Sequence, residues 1–301
     1  MQDLRIVDAH MHLWDLEKIR YPWLTPPLPV GITGDVGSIA RTYLLDDYLR
    51  DAGVAGGKVE VGKIVHVEAG AHPADSLQET RWLQSVARSR GFPQAIVAHA
   101  QLNDPNVEAL LAEHASHRNV RGIRQILNWH ADPKKTYTPR NLLEDPAWHR
   151  GFASLRKYNL SFDLQIYPTQ MPAAAELARR HSDTLLILNH TGMPADRDAA
   201  GLQAWRAGMQ ALAQQPNVAV KISGLAMLDW QWTTDSLRPF VLQTLEIFGA
   251  QRCMFASNFP VDRLFGSYTR QYGAYQALAA HLSAAERDQV FVSNAERIYR
   301  I

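Results

Sequence analysis

The sequence has little of several features that mark particular classes of protein. Its single cysteine, Cys253, excludes a disulfide within the chain. We therefore expect a reducing environment, the cytoplasm, in place of a secreted scaffold stabilised by disulfides. The N-terminal segment has no long apolar run after a basic cluster, and no stretch approaches the roughly 18 apolar residues of a membrane-spanning helix. We expect neither a signal peptide nor a membrane partner.

An excess of charge of one sign is also missing. The 31 Lys and Arg residues balance 30 Asp and Glu residues, which leaves a formal net charge of +1. Proteins that bind nucleic acid usually carry a basic excess, so the composition predicts no nucleic acid partner. Hydrophobic residues make up 46% of the chain, enough for one large core. We expect a small-molecule substrate. Whether the protein forms a homo-oligomer is left open by the sequence.

Eight short apolar runs alternate with helix-like segments, which indicates a parallel sheet covered by helices. The first run lacks the glycine-rich phosphate loop of open doubly wound sheets. Eight such units favour an α/β fold of the closed (β/α)8 or TIM-barrel type, one domain over residues 1–301 with a helical tail at its C-terminal end. The predicted strands are Leu4–Asp8, Gly62–Glu68, Gln94–Ala100, Val120–Leu127, Leu160–Gln165, Thr184–Asn189, Asn217–Ile222 and Arg252–Ser257.

The segments between these runs predict helices and one long loop. Leu13–Thr42 is rich in Pro and Gly, and a loop of that length in a compact domain is usually functional. We expect it to form a lid or a wall of the site. The predicted helices include Ala74–Arg90, Val107–His117, Ala147–Tyr158, Ala173–His181, Leu202–Gln214 and Leu237–Phe248.

Histidines stand at two predicted strand ends, where the active sites of such barrels form. His10 and His12 end strand one, and because residues two apart in a strand point the same way, both can face the barrel mouth. His190 ends strand six. Three imidazoles suit a divalent metal ion such as Zn²⁺. The alternative is that they are unrelated polar residues that bond to the backbone.

Strand eight ends with Asn258, and Asp262 and Arg263 follow. A carboxylate at this position can take a proton from water, and an arginine can hold a substrate carboxylate. Other strand ends carry candidates for substrate binding, for which hydrogen bonding inside the barrel or exposure on a loop is the alternative. These candidates are His66, Glu68, Arg124, Gln165, Trp129 and Lys221.

Two further groups of residues carry expectations. Five tryptophans fall in predicted loops, where they could wall a pocket for a flat or sugar-like ring: Trp14, Trp23, Trp129, Trp230 and Trp232. The remaining histidines, among them His99 and His114, are expected at surface or helix positions. His114 lies three residues before His117 on a polar helix, which predicts exposure to solvent.

Three segments taken together resemble a known family. Ile6–His12 (IVDAHMH), His190–Pro194 (HTGMP) and Phe255–Pro260 (FASNFP) occur in this order along the whole chain. They resemble the amidohydrolase 2 branch of the amidohydrolase superfamily, in particular the hydrolases that include sugar-lactone and pyrone-dicarboxylate lactonases. The resemblance implies a TIM barrel that opens a lactone to a hydroxy acid. It also implies that His10, His12 and His190 bind a divalent metal ion, or polarise the lactone carbonyl without one.

The sequence departs from this family at strand eight. The usual aspartate aligns with Asn258, and an amide cannot act as a base, although it can accept a hydrogen bond. Asp262, four residues later, is the first candidate for the missing carboxylate. Gln165 stands where binuclear relatives have a strand-five histidine, so a binuclear metal centre is not expected.

We therefore expect a lactonase for a small polar lactone, such as a sugar-derived aldonolactone. The three histidines stabilise the oxyanion with or without Zn²⁺, Asp262 is the general base, and Asn258 lies beside it. Arg124, Gln165 and Arg263 bind the substrate. Two alternatives remain: a decarboxylase of an aromatic carboxylic acid from the same branch, and a barrel that binds a ligand without turnover.

Overall fold

Eight parallel strands form one sheet in the computed structural model, which describes residues 4–53 and 59–301. Each strand pairs in parallel with the next along the chain, from β1 to β8. This confirms the predicted barrel topology. The strands are β1 Leu4–Met11, β2 Val59–Val67, β3 Ala95–His99, β4 Val120–Ile126, β5 Ser161–Gln165, β6 Leu186–Leu188, β7 Val218–Ile222 and β8 Cys253–Phe255.

The sheet closes where the segments after β1 and β8 meet. The backbone N–H of Asn258 donates to the carbonyl of His10 at 2.7 Å, and the N–H of His12 donates to the carbonyl of Phe259 at 2.8 Å. Met11 and Phe259 form a parallel bridge between these bonds. The hydrogen bonds that close the barrel therefore also hold His10, His12 and Asn258 side by side.

One helix follows each strand, and two more form the predicted C-terminal tail. Local capping explains several starts: α4 begins with Pro146 behind Asp145, whose carboxylate accepts from the N–H of Ala147 at 2.8 Å. The helices are α1 Leu45–Asp51, α2 Ser76–Arg90, α3 Val107–Ala115, α4 Pro146–Ala153, α5 Met171–Arg180, α6 Ala199–Ala213, α7 Thr234–Phe248, α8 Tyr268–Leu278, α9 Ala284–Asp288 and α10 Asn294–Tyr299. Within the described part of the chain, no helix is long and apolar enough to cross a membrane.

Two local predictions need correction. The helix α1 was not among the predicted helices, because the irregular segment before it hides its short pattern. The predicted exposure of His114 is wrong: the side chain is fully buried, with Nδ1 3.0 Å from the hydroxyl of Thr80 and Nε2 3.0 Å from the carbonyl of His99. At this position α3 packs against α2, so the imidazole of His114 has its hydrogen-bond partners inside the protein.

Candidate active site

A cavity of about 360 Å³ opens at the carboxyl ends of the strands. Its polar lining comes from five of them. His12 follows β1, Arg124 and Gln165 lie near the ends of β4 and β5, His190 follows β6, and Asn258 follows β8. The fold thus brings together five residues that the sequence nominated from positions up to 246 residues apart.

The remaining wall is largely apolar and comes from two loops. The long loop after β1 contributes Trp23, Val30 and Val36, so it forms a wall of the cavity as predicted. The loop after β4 contributes Pro133 and Tyr137. An apolar wall above a polar floor can hold the carbon skeleton of a small ring while the floor addresses its oxygen atoms.

Of the five tryptophans predicted to wall a pocket, only Trp23 lines this cavity. Trp14 and Trp232 are buried in the core, whereas the side chains of Trp129 and Trp230 are partly exposed to solvent. A role of these four tryptophans as a pocket wall has no support from the lining of this cavity.

Three imidazoles lie together, and two of them, His12 and His190, line the floor of the cavity. The ring centroids of His10 and His12 are 4.9 Å apart, and those of His10 and His190 are 4.6 Å apart. All three side chains are buried. Burial, followed by nearby positive charge, lowers the pKa of each ring below its ordinary value, to about 3 for His12. Each imidazole is therefore neutral near pH 7 and carries one N–H.

The hydrogen bonds of His12 define which of its nitrogens carries the proton. Nδ1 lies 2.8 Å from the backbone carbonyl of Val67, which can only accept, so the N–H is on Nδ1. Nε2 then presents a lone pair, 3.3 Å from Oδ1 of Asn258. The Asn258 amide is oriented by Asp262, since its Nδ2 donates to Oδ1 of that carboxylate at 2.8 Å. Two acceptors thus face each other at the cavity floor, and a donor such as water satisfies both.

Asp262 lies behind Asn258 and does not line the cavity. Its side chain is 2% exposed, and its two oxygens accept from Asn258 and from Nε2 of Gln271, the latter at 3.1 Å. No cationic side chain is bonded to it among the described residues. Burial raises the pKa of Asp262 to about 7, although these hydrogen bonds oppose the rise. A carboxyl group with such a pKa can exchange a proton near neutral pH.

Arg124 and Glu68 form an ion pair beside the cavity. Nε of Arg124 donates to Oε1 of Glu68 at 2.6 Å, and Nη2 donates to the Glu68 carbonyl at 2.5 Å. Nη1 donates to Oε1 of Gln165 at 3.0 Å. Burial favours the neutral acid, yet the charge of Arg124 outweighs it and lowers the pKa of Glu68 to about 2. Arg124 is therefore a fixed, neutralised donor on the cavity wall.

The backbone at the ends of β6 and β8 adopts left-handed conformations. His190 has φ +53° and Asn258 has φ +59°, a region that residues other than glycine seldom occupy. Gly224 is required beside His190, because a Cβ there would lie 2.5 Å from Nδ1 of the imidazole. Strain of this kind costs about 1–3 kcal/mol per residue and concentrates at functional sites. Here it turns two side chains toward the cavity.

Besides His10, Glu68 and Asp262, three more predicted site residues lie away from the cavity lining. His66 is buried, with Nε2 donating to the carbonyl of Leu13 at 3.1 Å. Trp129 is 38% exposed at the edge of its loop. Arg263 points away from the cavity and donates to Asp51 at 3.1 Å. Their assignment to substrate binding stays a prediction without support from this geometry.

Sequence reasoning missed a polar cluster beneath the imidazoles. Lys221 of β7 forms an ion pair with Asp163 of β5, and both side chains are fully buried. Asp163 also accepts from the Tyr299 hydroxyl at 3.1 Å and from the Asn189 amide at 3.0 Å. A signal was present: Asp163 is two residues before Gln165 in a buried strand, so both point into the barrel, where a charge needs a partner.

The three histidines do not fit the predicted metal ion as they stand. Nζ of Lys221 lies 3.4 Å from Nδ1 of His10, and an ammonium group beside the ring opposes a second cation. Among the described residues, no carboxylate lines the cavity to balance the charge of a metal. Within residues 4–53 and 59–301, no three His, Cys, Asp or Glu side chains have the arrangement of a metal site.

Comparison with known proteins identifies the family. Residues 7–301 match the family described as Amidohydrolase. The chain belongs to the amidohydrolase family. This amidohydrolase is 45% identical to the uncharacterised protein y4mH of Sinorhizobium fredii over 302 residues, which cover 100% of both chains.

Two proteins of Burkholderia multivorans are also similar to this amidohydrolase. It is 31% identical to an L-fucono-1,5-lactonase over 311 residues, which cover 98% of this chain and 96% of that protein. It superposes with a TM-score of 0.79 on the crystal structure of an amidohydrolase with bound zinc, at 29% identity, over 98% of this chain and 99% of that one. The zinc ion belongs to that relative.

Proposed function

We propose that this amidohydrolase hydrolyses a lactone, opening the cyclic ester to a hydroxy acid. The observation that carries the proposal is the convergence of neutral imidazoles, Arg124 and the Asn258–Asp262 pair on one small cavity. The proposal is supported by the L-fucono-1,5-lactonase relative, which aligns along nearly the whole chain.

The carbonyl oxygen of the lactone binds at the polar floor. In the transition state of ester hydrolysis this oxygen becomes negative, and preorganised N–H donors in a site closed to water stabilise it. Arg124 and an imidazole N–H other than that of His12 supply such donors, because His12 donates its N–H to the Val67 carbonyl. Gln165 uses its Oε1 for Arg124, so its amide N–H groups stay free for a ring oxygen of the substrate.

The attacking water binds between His12 and Asn258. Both Nε2 of His12 and Oδ1 of Asn258 accept hydrogen bonds, and they are 3.3 Å apart. A water that donates both of its protons to this pair turns its lone pairs toward the carbonyl carbon. His12 and Asn258 thus orient the nucleophile.

Asp262 is the general base of the proposal. A pKa of about 7 suits proton transfer at neutral pH, because the anionic form is present and still basic. The Asn258 amide covers Oδ1 of Asp262. In the proposal Asn258 therefore first orients the water and then moves aside, so that the carboxylate takes the water proton that Oδ1 of Asn258 had accepted. His12, with a pKa of about 3, is a much weaker base.

The substrate class that fits is a small lactone, and sugar-derived aldonolactones come first. The polar floor addresses the lactone and its ring oxygens, and the apolar wall from Trp23, Val30 and Val36 packs against the less polar face of the ring. We expect L-fucono-1,5-lactone, the substrate in the name of the Burkholderia relative, among the lactones that are opened.

An initial-rate screen with a pH indicator tests this function. Purified protein is offered aldonolactones, including L-fucono-1,5-lactone, and simple aromatic lactones, with spontaneous hydrolysis subtracted. We expect release of one acid per ring opened and no CO₂. The variant His190→Gln should lose the activity, whereas His281→Gln, distant from the cavity, should keep it. Silence on every lactone, or CO₂ from aromatic carboxylic acids, would contradict the proposal.

A further inference from the structure

The buried pair Lys221–Asp163 reaches the imidazole floor from below. Besides its bond to Asp163, Nζ of Lys221 lies 3.4 Å from Nδ1 of His10. Asp163 is held in turn by the hydroxyl of Tyr299 in α10 and by the amide of Asn189. The anchor of the cavity floor thus extends to the C-terminal helix of the chain.

The charge of the pair fixes the direction of the contact with His10. Burial lowers the pKa of Lys221 to about 8, although Asp163 opposes the shift, so near pH 7 the side chain is an ammonium group. Removal of either charge would leave the other buried and unpaired. An ammonium group donates and cannot accept. At 3.4 Å the hydrogen bond is long, but an N–H proton on Nδ1 would point at this cation and be repelled. The lone pair of neutral His10 therefore belongs on Nδ1.

The other nitrogen of His10 then carries the proton. Nε2 is buried and has no hydrogen-bond partner among the residues that the structure describes. A buried N–H without an acceptor is costly, and such groups in native proteins commonly await a ligand. The ring lies between His12 and His190, which line the cavity although His10 itself does not. We therefore take an oxygen of a substrate bound between those two rings as the acceptor.

We propose that Lys221 is a positioning residue that keeps the proton of His10 on Nε2, so that His10 donates a hydrogen bond to the lactone carbonyl oxygen and is not a metal ligand. The role of His10 as a donor to the lactone carbonyl rests on the proposed lactone hydrolysis. Metal binding through Nε2 would need the opposite tautomer, with a lone pair on Nε2 and a proton directed at Lys221. The two roles of His10 therefore exclude each other.

The tautomer is measured directly by NMR on protein labelled with ¹⁵N-histidine, without substrate. Long-range ¹H–¹⁵N correlations distinguish a protonated from an unprotonated ring nitrogen, and His10→Asn assigns the signals. We expect protonated Nε2 in the wild type, with no change on addition of ZnCl₂. A proton on Nδ1, or a zinc-dependent shift of Nε2, would overturn the proposal whatever the activity.

Two variants test the role of Lys221. Lys221→Met should release His10 into a mixture of tautomers and lower kcat about 10- to 100-fold, with KM changed less than about threefold. Tyr299→Phe removes one donor to Asp163 while the Lys221–Asp163 pair remains, so it should lower the Tm and change the tautomer and kcat much less than Lys221→Met does. If Lys221→Met does not fold, Lys221→Met with Asp163→Asn removes both charges together and carries the same expectation.

The outcomes separate this inference from the proposed function. Unchanged tautomer and kcat after loss of Lys221 would remove its role while lactone hydrolysis stands. The predicted tautomer in a protein that opens no lactone would contradict the proposed reaction, and with it the carbonyl as the acceptor, but would support the assignment of Lys221.

Discussion

Two buried carboxylates flank β1 at the cavity, and they differ in the partner that each one has. Glu68 at the end of β2 is 1% exposed and bonded to Arg124, which lowers its pKa to about 2 despite burial. Asp262, after β8, is 2% exposed and bonded to the neutral amides of Asn258 and Gln271, so burial raises its pKa to about 7. With equal burial, the partner decides the chemistry: one carboxylate holds a binding residue in place, and the other exchanges protons.

The largest expected effect follows from removal of the unpaired carboxylate. Asp262→Asn should lower kcat about 10²- to 10⁴-fold, since a positioned general base contributes a factor of this size. Circular dichroism checks the fold, and Asp235→Asn, which changes an exposed carboxylate far from the cavity, should leave kcat within a factor of about two. Full turnover by the Asp262 variant would assign the base to another residue.

Removal of the paired carboxylate should act on stability first. Glu68→Gln leaves Arg124 buried without a counter-charge, which costs about 3–5 kcal/mol of unfolding free energy. Denaturant unfolding measures the loss, with Glu113→Gln as the matched control, because Glu113 pairs with Arg81 at the surface and should change stability by less than about 1 kcal/mol. Equal losses of unfolding free energy in both variants would show that the buried Glu68–Arg124 pair contributes no more stability than the surface pair.

The hydrogen bond from Gln271 should tune the base. It favours the anionic form of Asp262, so Gln271→Met should raise the pKa of this carboxyl group further. We expect the midpoint of the kcat/KM profile to move to higher pH while the alkaline plateau stays close to that of the wild type. A pH profile that coincides with that of the wild type would show that Asp262 is not the group that titrates in kcat/KM.

Glu79 is a third buried carboxylate in this comparison, and its substitution should have the smallest effect. Burial and the charge of Glu68 raise the pKa of Glu79 to about 8, and its oxygen accepts from Tyr21 and Ala69. A raised folded-state pKa contributes stability that is present below the unfolded value of about 4.5 and lost as the pH rises through 8. Glu79→Gln keeps the acceptor and cannot ionise, so it should match the wild type at pH 4 and exceed its Tm at pH 9. A lower Tm at pH 9 would contradict the assigned pKa.

The sequence predicted the barrel and the imidazoles because these features have local patterns. Alternating strands and helices have visible periods, and the spacing of His10 and His12 fixes both on one side of β1. The C-terminal ends of β6 and β8 were predicted one and two residues too late, because His190 and Asn258 adopt a left-handed backbone that stops the pairing.

Contacts between distant strands could not be predicted in this way. Lys221 and Asp163 are 58 residues apart and meet only because the barrel closes around them. The same holds for the environment of Asp262: its position after β8 was visible, but its burial behind Asn258, with Gln271 of α8 on the other side, depends on how the last helix packs. Arg263, its neighbour in sequence, turns outward to Asp51.

The most direct test of the account is the pH profile of kcat/KM for a lactone that the wild-type enzyme opens, measured from pH 5 to pH 9. If Asp262 is the general base, kcat/KM should rise with unit slope, have its midpoint near the Asp262 pKa of about 7, and level off above it. A profile that is flat over this range would contradict the account, because it would require a base that is already deprotonated at pH 5, such as His12 with its pKa of about 3.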